Sequence, residues 1–411
     1  MKGFSRGAVF AILGISLSLY LLQVFTPLRL TSDGIAYLSL AKSAITMMDI
    51  ARTDFPFPKG YPVFIFLLMR ARLFSSATLV MANILFFLTA LAFTFRTLSS
   101  QGFQRSHATM ACLLTLLSFS AVKHITQGMS DFLFFALAAI AFWSMTLSGR
   151  YKWLITLPCI ASAIEVRLIG LALIFPLAAI IWPFAKKHWW RGLWGGAAVV
   201  AIVVAGAWAG RRYFSGNLHL LKNNGLGHFL WKNIIAHSQD FGELIANVPI
   251  SKLPAWSHAF VLFLGASVIV LFFVGIVVLR KRSPMCSFYM IGYSCVILPW
   301  PFTDPRFWIP AMPFALLTIY AGGAALLTKP EVSIAARRAV LAYCLIFCLL
   351  GFGALGYSTW LTFSGPRFPY RYGDGLLRTT YLAGCSAPSA GVNQSALELL
   401  KAYEWHCQDT H

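Results

Sequence analysis

The sequence predicts an all-α polytopic membrane protein with about eleven transmembrane helices. The first observation is composition: 58% of the 411 residues are hydrophobic and only 11% are charged, with a mean hydropathy of +0.72. An average soluble domain is about 25% charged, so this composition excludes a water-soluble fold. The 15% aromatic content and the thinly spread cysteines also exclude a disordered chain and a disulfide-stapled mini-protein.

The second observation is the length of the uncharged runs. A membrane-spanning helix needs about 20 mostly apolar residues, with a range of roughly 17 to 25. A transmembrane β-barrel would have short alternating segments, so these long, uniform runs indicate helices. A shorter run at 153–164 is counted as an eleventh crossing, because with it the basic loops later in the chain still fall on the inner side. The ten longer runs are 7–28, 73–95, 106–122, 132–149, 168–185, 192–210, 253–279, 283–303, 307–328 and 339–366.

The third observation is the position of Lys and Arg, which predicts the orientation. With the N-terminus in the cytoplasm, every inner segment is short and carries two or three basic residues, and Glu331 is the single acid on that side. The run at 7–28 is too long for a typical signal peptide and is predicted to be an uncleaved first helix. The net charge of +20 is therefore attributed to topology and to contact with anionic membrane lipid, and not to nucleic-acid binding.

The same alternation of inner and outer segments predicts a strongly asymmetric protein. Residues 1–358 form a transmembrane catalytic domain with two large outer loops, 29–72 and 211–252, and residues 359–411 form an outer tail. Nearly all carboxylates lie in these outer segments, whereas the helix interiors carry no charge. A channel or transporter needs polar groups along a path through the bilayer, so this pattern favours an active site that faces outward.

The first outer loop carries the leading candidate for a catalytic group. Asp33 follows the first helix at the start of a predicted interfacial amphipathic helix, at about 35–50, and Tyr37 lies one turn further on the same face. An acid at this position could also simply cap the helix. A proline-rich turn that contains Lys59 and Tyr61 follows, and a short apolar stretch at 63–68 is predicted to lie in the interface.

Arginines at the outer ends of later helices are candidate phosphate ligands. Arg167 and Arg306 follow the acids Glu165 and Asp304 at a spacing of i,i+2, so neither pair is expected to meet on a regular helix face. A guanidinium fits phosphate with a bidentate fork, although basic residues at helix ends also commonly reach lipid headgroups. Asp131, at the start of another helix, is interpreted first as an acid that interacts with the helix dipole.

The order of these features resembles the opening of the C-type glycosyltransferases (the GT-C superfamily). That superfamily includes protein O-mannosyltransferases and the aminoarabinose transferases that modify lipid A. Its first outer loop carries a catalytic acid, often as Asp-Glu, followed by a Lys-Pro-Pro-Leu-Tyr-Tyr-like segment. Here Asp33 and the Lys59–Pro62 turn match these two features, whereas Gly34 replaces the Glu and the double proline is broken. The segments 165–171 and 303–313 are similar to the superfamily's basic-x-x-Gly and Arg-Tyr-x-x-Pro-x-x-Pro segments.

The resemblance implies a GT-C-like fold and a glycosyltransferase of the lipid-phosphate-sugar-dependent class. Such an enzyme takes a sugar from a polyprenyl-phosphate donor and passes it to an envelope acceptor, by inverting displacement, at the outer face of a bacterial inner membrane. A base removes the proton of the acceptor hydroxyl while fixed cations stabilise the phosphate that leaves. The predicted base is Asp33, and the predicted donor-phosphate ligands are Lys59, Arg167 and Arg306. Possible substrate-binding residues are Tyr37, Tyr61, Asp131, Glu165, Asp304, Arg211 and Arg212.

No cofactor is predicted from the residue pattern. The chain has no Asp-x-Asp motif and no Gly-rich phosphate loop, and the spacing of its residues does not support a divalent-metal site. The outer histidines 219, 228, 237 and 258 also lack the spacing of zinc ligands. Cys385 and Cys407 lie in the outer tail, where a disulfide between them and two free thiols are both open.

Two other functions fit the composition. A transporter or flippase would also be polytopic, and it would need carboxylates along a path through the bilayer. An enzyme like the O-antigen ligases or polymerases would also have large outer loops and arginines, but it uses a pyrophosphate-linked donor. The acceptor, the sugar and the oligomeric state are not determined by the sequence.

Overall fold

The protein is helical throughout the part that the structure describes. The computed structural model describes residues 6–53, 55, 57–187, 226–300, 303–327, 330–372, 378, 380–381 and 394–402. Within these ranges the extended pairing is limited to one isolated bridge between Arg29 and Gln127. The predicted all-α fold class is therefore confirmed.

The α-helices are numbered along the chain, and short 3-10 segments join several of them. The first eight are α1 Arg6–Leu22, α2 Ser32–Ser43, α3 Met47–Arg52, α4 Gly60–Arg70, α5 Ser76–Ser100, α6 Arg105–Leu116, α7 Phe119–His124 and α8 Asp131–Met145. The next nine are α9 Lys152–Val166, α10 Ile174–Lys187, α11 Leu226–Ala246, α12 His258–Arg282, α13 Pro284–Ile297, α14 Met312–Leu326, α15 Pro330–Thr362, α16 Phe368–Tyr372 and α17 Gln394–Ala402. The 3-10 segments are Gln23–Phe25, Leu168–Leu173, Ile250–Lys252, Ala255–Ser257, Pro305–Ala311 and Gly365–Arg367.

Several helices are long and apolar enough to cross a bilayer, which makes the chain an integral membrane protein. Within the described ranges five meet this condition by length and composition: Gly7–Phe25, Ser76–Ser100, Ala255–Arg282, Pro305–Leu326 and Ile334–Thr362. Shorter apolar helices accompany them at Gly60–Arg70, Asp131–Met145, Leu168–Ile180 and Pro284–Ile297. The number eleven stays a prediction, and the predicted crossing at 192–210 lies outside the described residues.

Two predicted continuous segments are broken in the structure by Ser and Thr caps. The run at 106–122 is divided between α6 and α7, because the Ser118 side chain accepts a hydrogen bond from the amide of Ala121 and starts a new helix. The predicted helix at 35–50 is likewise two helices, α2 and α3. Thr46 caps α3 and forms a reciprocal capping box with Asp49.

The predicted second outer loop and the predicted tail both contain helices. The predicted loop 211–252 contains the 21-residue helix α11. Helix α15 continues to Thr362, past the predicted domain boundary at 358. Helix α17 packs against α2, where Leu399 and Leu400 join the buried cluster that contains Leu38. The described tail therefore helps to form the first outer loop's hydrophobic core.

Two buried apolar clusters organise the molecule. The larger one lies among the membrane helices, where small residues bring helices close together. The α-carbons of Gly275 and Gly322 lie against backbone carbonyls of the facing helix, so that α12 and α14 pack without intervening side chains. The smaller cluster lies between α2, α4 and the described tail, and it supports the candidate site.

Candidate functional site

Asp33 is available for chemistry because another residue caps its helix. The Thr31 hydroxyl accepts a hydrogen bond from the Gly34 amide at 3.0 Å, which is the capping interaction of α2. The alternative that Ser32 or Asp33 acts as the cap is therefore wrong. The Asp33 carboxylate instead accepts a hydrogen bond from Arg306, with 2.6 Å between Oδ2 and Nη2.

The cap leaves no room for a side chain next to Asp33. A Cβ added at Gly34 would lie 2.9 Å from the Thr31 hydroxyl and 3.2 Å from the carbonyl oxygen of Gly128. A glutamate at position 34, as in the Asp-Glu of the superfamily, would require one of these groups to move. The glycine is thus explained by the close approach of α2 to the 128 backbone.

The strand-like segment before Asp33 is held by two tyrosines of the tail. The Tyr381 hydroxyl donates to the Leu28 carbonyl at 2.5 Å and accepts from the Leu30 amide at 2.9 Å. The Tyr372 hydroxyl donates to the Leu30 carbonyl at 2.8 Å. All three backbone groups are buried, and the two tyrosines satisfy them in place of a β-sheet. We call Leu28–Leu30 with these two tyrosines the tail clamp.

Arg29 anchors the same segment from the opposite side. Its guanidinium, in a residue only 3% exposed, donates to Thr26, to the hydroxyl and carbonyl of Ser358, and to Thr362. It also lies 5.7 Å from the ring centroid of Tyr372. Burial lowers the pKa of Arg29 to about 10, so it remains charged at neutral pH. A buried cation with this many hydroxyl and carbonyl partners fixes the chain between α1 and α15.

Arg306 lies between two carboxylates. Asp304 begins the 3-10 segment, its Oδ1 accepts from the Arg306 amide at 2.9 Å, and its Oδ2 lies 3.4 Å from Nε of Arg306. The prediction that Asp304 and Arg306 do not meet is therefore wrong, because the extended backbone of a capping residue folds its side chain over the next turn. Arg306 is nevertheless not saturated: its Nε has no hydrogen bond, and its Nη1 contacts only the thioether of Met129, at 3.6 Å.

Arg167 pairs with Asp131 and not with Glu165. The Arg167 guanidinium donates to Oδ1 of Asp131, whose side chain is completely buried, whereas Glu165 is exposed. Glu165 and Arg167 thus do not pair, as their spacing predicted. Asp131 does open α8, but the interpretation that its main partner is the helix dipole is incomplete, because it carries a buried ion pair.

One aromatic ring brings the two arginines together. The guanidinium carbons of Arg167 and Arg306 each lie 5.1 Å from the ring centroid of Phe307. A guanidinium at this distance from a phenyl ring is held by a cation–π interaction. Asp33, Asp131, Asp304, Arg167 and Arg306 therefore form one charged cluster, contributed by α2, α8, the 168–173 and 305–311 segments and the turns that precede them.

Two tyrosines of the first outer loop line this cluster. Tyr37 is 6% exposed, and its ring lies 5.4 Å from that of Tyr61, centroid to centroid. Burial raises the pKa of Tyr37, an effect that the charge of Arg167 partly offsets, so the phenol is neutral. The Tyr61 hydroxyl and Oδ2 of Asp131 are both buried without a hydrogen bond. Both predicted tyrosines are thus part of the site's wall.

Lys59 contacts the end of α3. Its ammonium donates to the carbonyls of Ala51 and Thr53, at 2.5 and 2.7 Å, and so closes the C-terminal end of α3. Its neighbour Gly60 is pressed against the backbone of Glu165, where an added Cβ would lie 2.8 Å from the carbonyl. The loop therefore reaches the end of α9, but the role of Lys59 toward phosphate stays a prediction.

The structure also adds residues that sequence reasoning missed. His124 is buried, its Nδ1 lies 2.7 Å from Oε1 of Gln127, and its Nε2 lies 3.9 Å from Oδ1 of Asp304. Burial and the charges of Lys123 and Arg306 lower the pKa of His124 to about 3, so the ring is neutral. No motif around position 124 predicts that His124 lies near Asp304, because this contact depends on how α7 packs against the 305–311 segment.

Some predicted residues lie beyond what the structure describes. Arg211 and Arg212 are outside the described residues, as are His219, Cys385 and Cys407. Within the described part, no group of three or more His, Cys, Asp or Glu could hold a metal ion.

The fold is similar to that of solved C-type glycosyltransferase structures. Two crystal structures of ArnT, the lipid A aminoarabinose transferase, from Cupriavidus metallidurans are similar to this chain: the apo state, and the state bound to undecaprenyl phosphate. Their TM-scores are 0.52 and 0.51 at 12% and 13% sequence identity, and the alignments cover 97% of this chain and 84% and 85% of those chains. The resemblance predicted from the sequence is confirmed at the level of the fold. No protein-family model and no curated protein sequence matches the chain.

Proposed function

We propose that this protein is a membrane glycosyltransferase that moves a sugar from a polyprenyl-phosphate donor to an envelope acceptor. The reaction occurs at the outer face of a bacterial inner membrane, with the N-terminus in the cytoplasm and the tail outside. The observation that carries the proposal is the contact between Asp33 and Arg306, 2.6 Å apart although 273 residues separate them. A candidate base and a candidate phosphate ligand thus lie side by side.

Asp33 would act as the general base. It would take the proton of an acceptor hydroxyl while that oxygen forms a bond to the anomeric carbon of the donor sugar. The bond between the anomeric carbon and the phosphate oxygen breaks, and its electron pair leaves with the polyprenyl phosphate. Attack from the side opposite the phosphate inverts the anomeric configuration. Asp33 suits this role because its side chain is partly exposed, at 23%, and is not used as a helix cap.

Arg306 and Arg167 would bind the phosphate. Both form ion pairs in the ligand-free chain, but a guanidinium has five donors. Nη1 of Arg306 contacts only the Met129 thioether, and its Nε has no hydrogen bond although Asp304 lies 3.4 Å away. A phosphate oxygen is a far better acceptor than the Met129 thioether. The Phe307 ring holds both guanidinium groups at the same distance, which preorganises two cations for one dianion. The ArnT structure bound to undecaprenyl phosphate supports this class of ligand.

An apolar groove supports an isoprenoid donor. It lies between α11 and α14, with Trp308, two residues after Arg306, in its wall. A lipid chain whose phosphate is bound at Arg306 could therefore leave along apolar side chains. The other lining residues are Phe241, Leu244, Ile245, Met312, Ala315, Leu316 and Ile319.

The test is transfer from a defined donor by the purified protein in lipid nanodiscs. Removal of the base should lower the rate of sugar transfer about 100- to 10,000-fold in Asp33→Asn, with folding and donor binding retained. Arg306→Ala should instead raise the donor KM more than the acceptor KM. Asp49→Asn is the matched control, because Asp49 is an acid of the same loop that caps the exposed start of α3. Full activity of Asp33→Asn would remove Asp33 as the base.

The same assay separates the two other functions. An enzyme like the O-antigen ligases or polymerases would use an undecaprenyl-pyrophosphate-linked sugar in preference to the monophosphate. A flippase would move labelled lipid across the bilayer of a proteoliposome without cleaving the sugar–phosphate bond. The charged cluster favours transfer, since its acids and arginines are grouped at the end of the helices and not along them.

A further inference from the structure

Helix α11 presents its polar side to the protein and its apolar side outward. Trp231 and Ile234 are 64% and 58% exposed, whereas His237, Asp240 and Glu243 are only 1%, 5% and 6% exposed. A helix on a water-soluble protein does the opposite. The reversed arrangement is typical of a helix with lipid outside and a polar chamber inside. The buried side of α11 therefore needs polar partners.

We call the buried polar residues of α11 between Asn233 and Asn247 the polar stripe. The asparagines at its two ends hold the helix against its neighbours. Asn233 donates to the carbonyl of Leu298, and Asn247 donates to the carbonyls of Leu117 and Phe347. Its side-chain oxygen accepts from the amide of Phe119. These asparagines explain how α11 is fastened. Of the three residues between them, Glu243 accepts a hydrogen bond from Nε2 of Gln239 at 2.8 Å, which leaves His237 and Asp240.

The centre of the stripe is unsatisfied. Neither ring nitrogen of His237 has a hydrogen bond, although the residue is almost completely buried. Its nearest polar neighbour is Asp240, with 3.3 Å between Nδ1 and Oδ2. Buried polar groups in folded proteins nearly always have a partner, so an open histidine beside a buried carboxylate indicates a ligand that completes it.

The stripe adjoins the charged cluster through Phe241. The Phe241 ring lies 4.4 Å from that of Trp308, two residues beyond Arg306. Burial, with a smaller contribution from the charge of Asp304, raises the pKa of both Asp240 and Glu243. The polar face of α11 thus lies within electrostatic range of Asp304.

His124 completes the wall with one more hydrogen-bond acceptor. Since Oε1 of Gln127 accepts from Nδ1, the neutral ring carries its proton there and Nε2 presents a lone pair. That lone pair faces Oδ1 of Asp304 across 3.9 Å, so two acceptors point at each other with no donor between them. A hydroxyl or ammonium group of a ligand would supply the missing proton.

We propose that Asp240, Glu243, Asp304, His124 and His237 form a subsite for the hydrogen-bond-donating groups of a non-anionic sugar, the acceptor. This inference rests on the proposed function, and it adds the class of acceptor. The carboxylates repel phosphates and uronates, which distinguishes this subsite from the arginines that bind the donor. Because Arg306 joins Asp304 to Asp33, a sugar bound here would present a hydroxyl to the base.

The test measures sugar binding by saturation-transfer NMR in nanodiscs, with α-methyl glucoside, glucosamine and glucuronate as probes. The two non-anionic sugars should give a signal, and glucuronate should give at least fivefold less. Asp240→Asn and, as a second variant, Glu243→Gln should each lower the glucoside signal at least threefold, while Asp49→Asn leaves it unchanged. Equal binding of glucuronate, or an unchanged glucoside signal in both variants, overturns the subsite.

Binding of undecaprenyl phosphate to the same samples keeps the two proposals apart. If the lipid binds equally to wild type and Asp240→Asn while the glucoside signal is lost, both proposals stand. If the lipid binds and the glucoside signal does not depend on Asp240 or Glu243, the subsite fails alone. If the lipid does not bind even to wild type, the donor proposal fails, and an Asp240-dependent glucoside signal still supports the sugar site.

Discussion

The tail clamp predicts that a hydroxyl far from Asp33 in the sequence controls its position. Tyr381→Phe removes one oxygen, which donates to the Leu28 carbonyl and accepts from the Leu30 amide. Each buried backbone group left without a partner costs about 1–3 kcal/mol, so the two together weaken the clamp by about 2–6 kcal/mol. At 1.4 kcal/mol for each factor of ten, this is at least a roughly 30-fold increase in local opening.

Hydrogen–deuterium exchange measures the opening directly. In Tyr381→Phe the amide of Leu30 should exchange at least about 30-fold faster, because its acceptor is gone. Transfer should slow at saturating substrates about 10- to 100-fold, since Asp33 lies three residues further on and shifts with the segment. The donor KM should change far less, because the arginines are on other elements.

Tyr370→Phe is the matched control, since Tyr370 is 60% exposed on α16, the short helix that carries Tyr372. It should leave both exchange and transfer unchanged. Wild-type exchange at Leu30 in Tyr381→Phe, or a loss of transfer seen equally in Tyr370→Phe, would refute the clamp as the device that positions Asp33.

Two further predictions concern stability. Gly34→Ala should lower the free energy of unfolding by about 1 kcal/mol, which is the value of a helix cap, because the new Cβ would displace the Thr31 hydroxyl. Gly14→Ala is the control: its new Cβ meets no atom within 4 Å, so it should not lower the melting temperature. The pKa of His124 is about 3 in the folded protein and about 6.5 when unfolded, so its contribution to stability is complete above pH 6.5 and is lost as pH falls toward 3. Thermal melts of His124→Gln between pH 6.5 and 5 should therefore fall less steeply with acid than those of wild type, and identical slopes would contradict a neutral His124.

The membrane class of the fold follows from composition, because low charge and long apolar runs allow few other solutions. The caps inside those runs are harder to read. Ser118 and Thr46 lie among residues that suit a continuous helix. Each starts a new helix because its side chain accepts a hydrogen bond from a backbone amide three residues further on. The same limit applies to α11, whose polar residues resemble a solvent-facing loop until its packing against the 305–311 segment is known.

Sequence alone determined which residue types stand at the ends of the helices, and it named Asp33, Arg167 and Arg306. Charged residues in an apolar chain are few, and local position is enough to find them. Tertiary structure decided their partners. Asp131 with Arg167, Asp304 with His124, and the two tail tyrosines on Leu30 are contacts between segments far apart in the chain, and such contacts depend on how the helices pack, which no local pattern encodes.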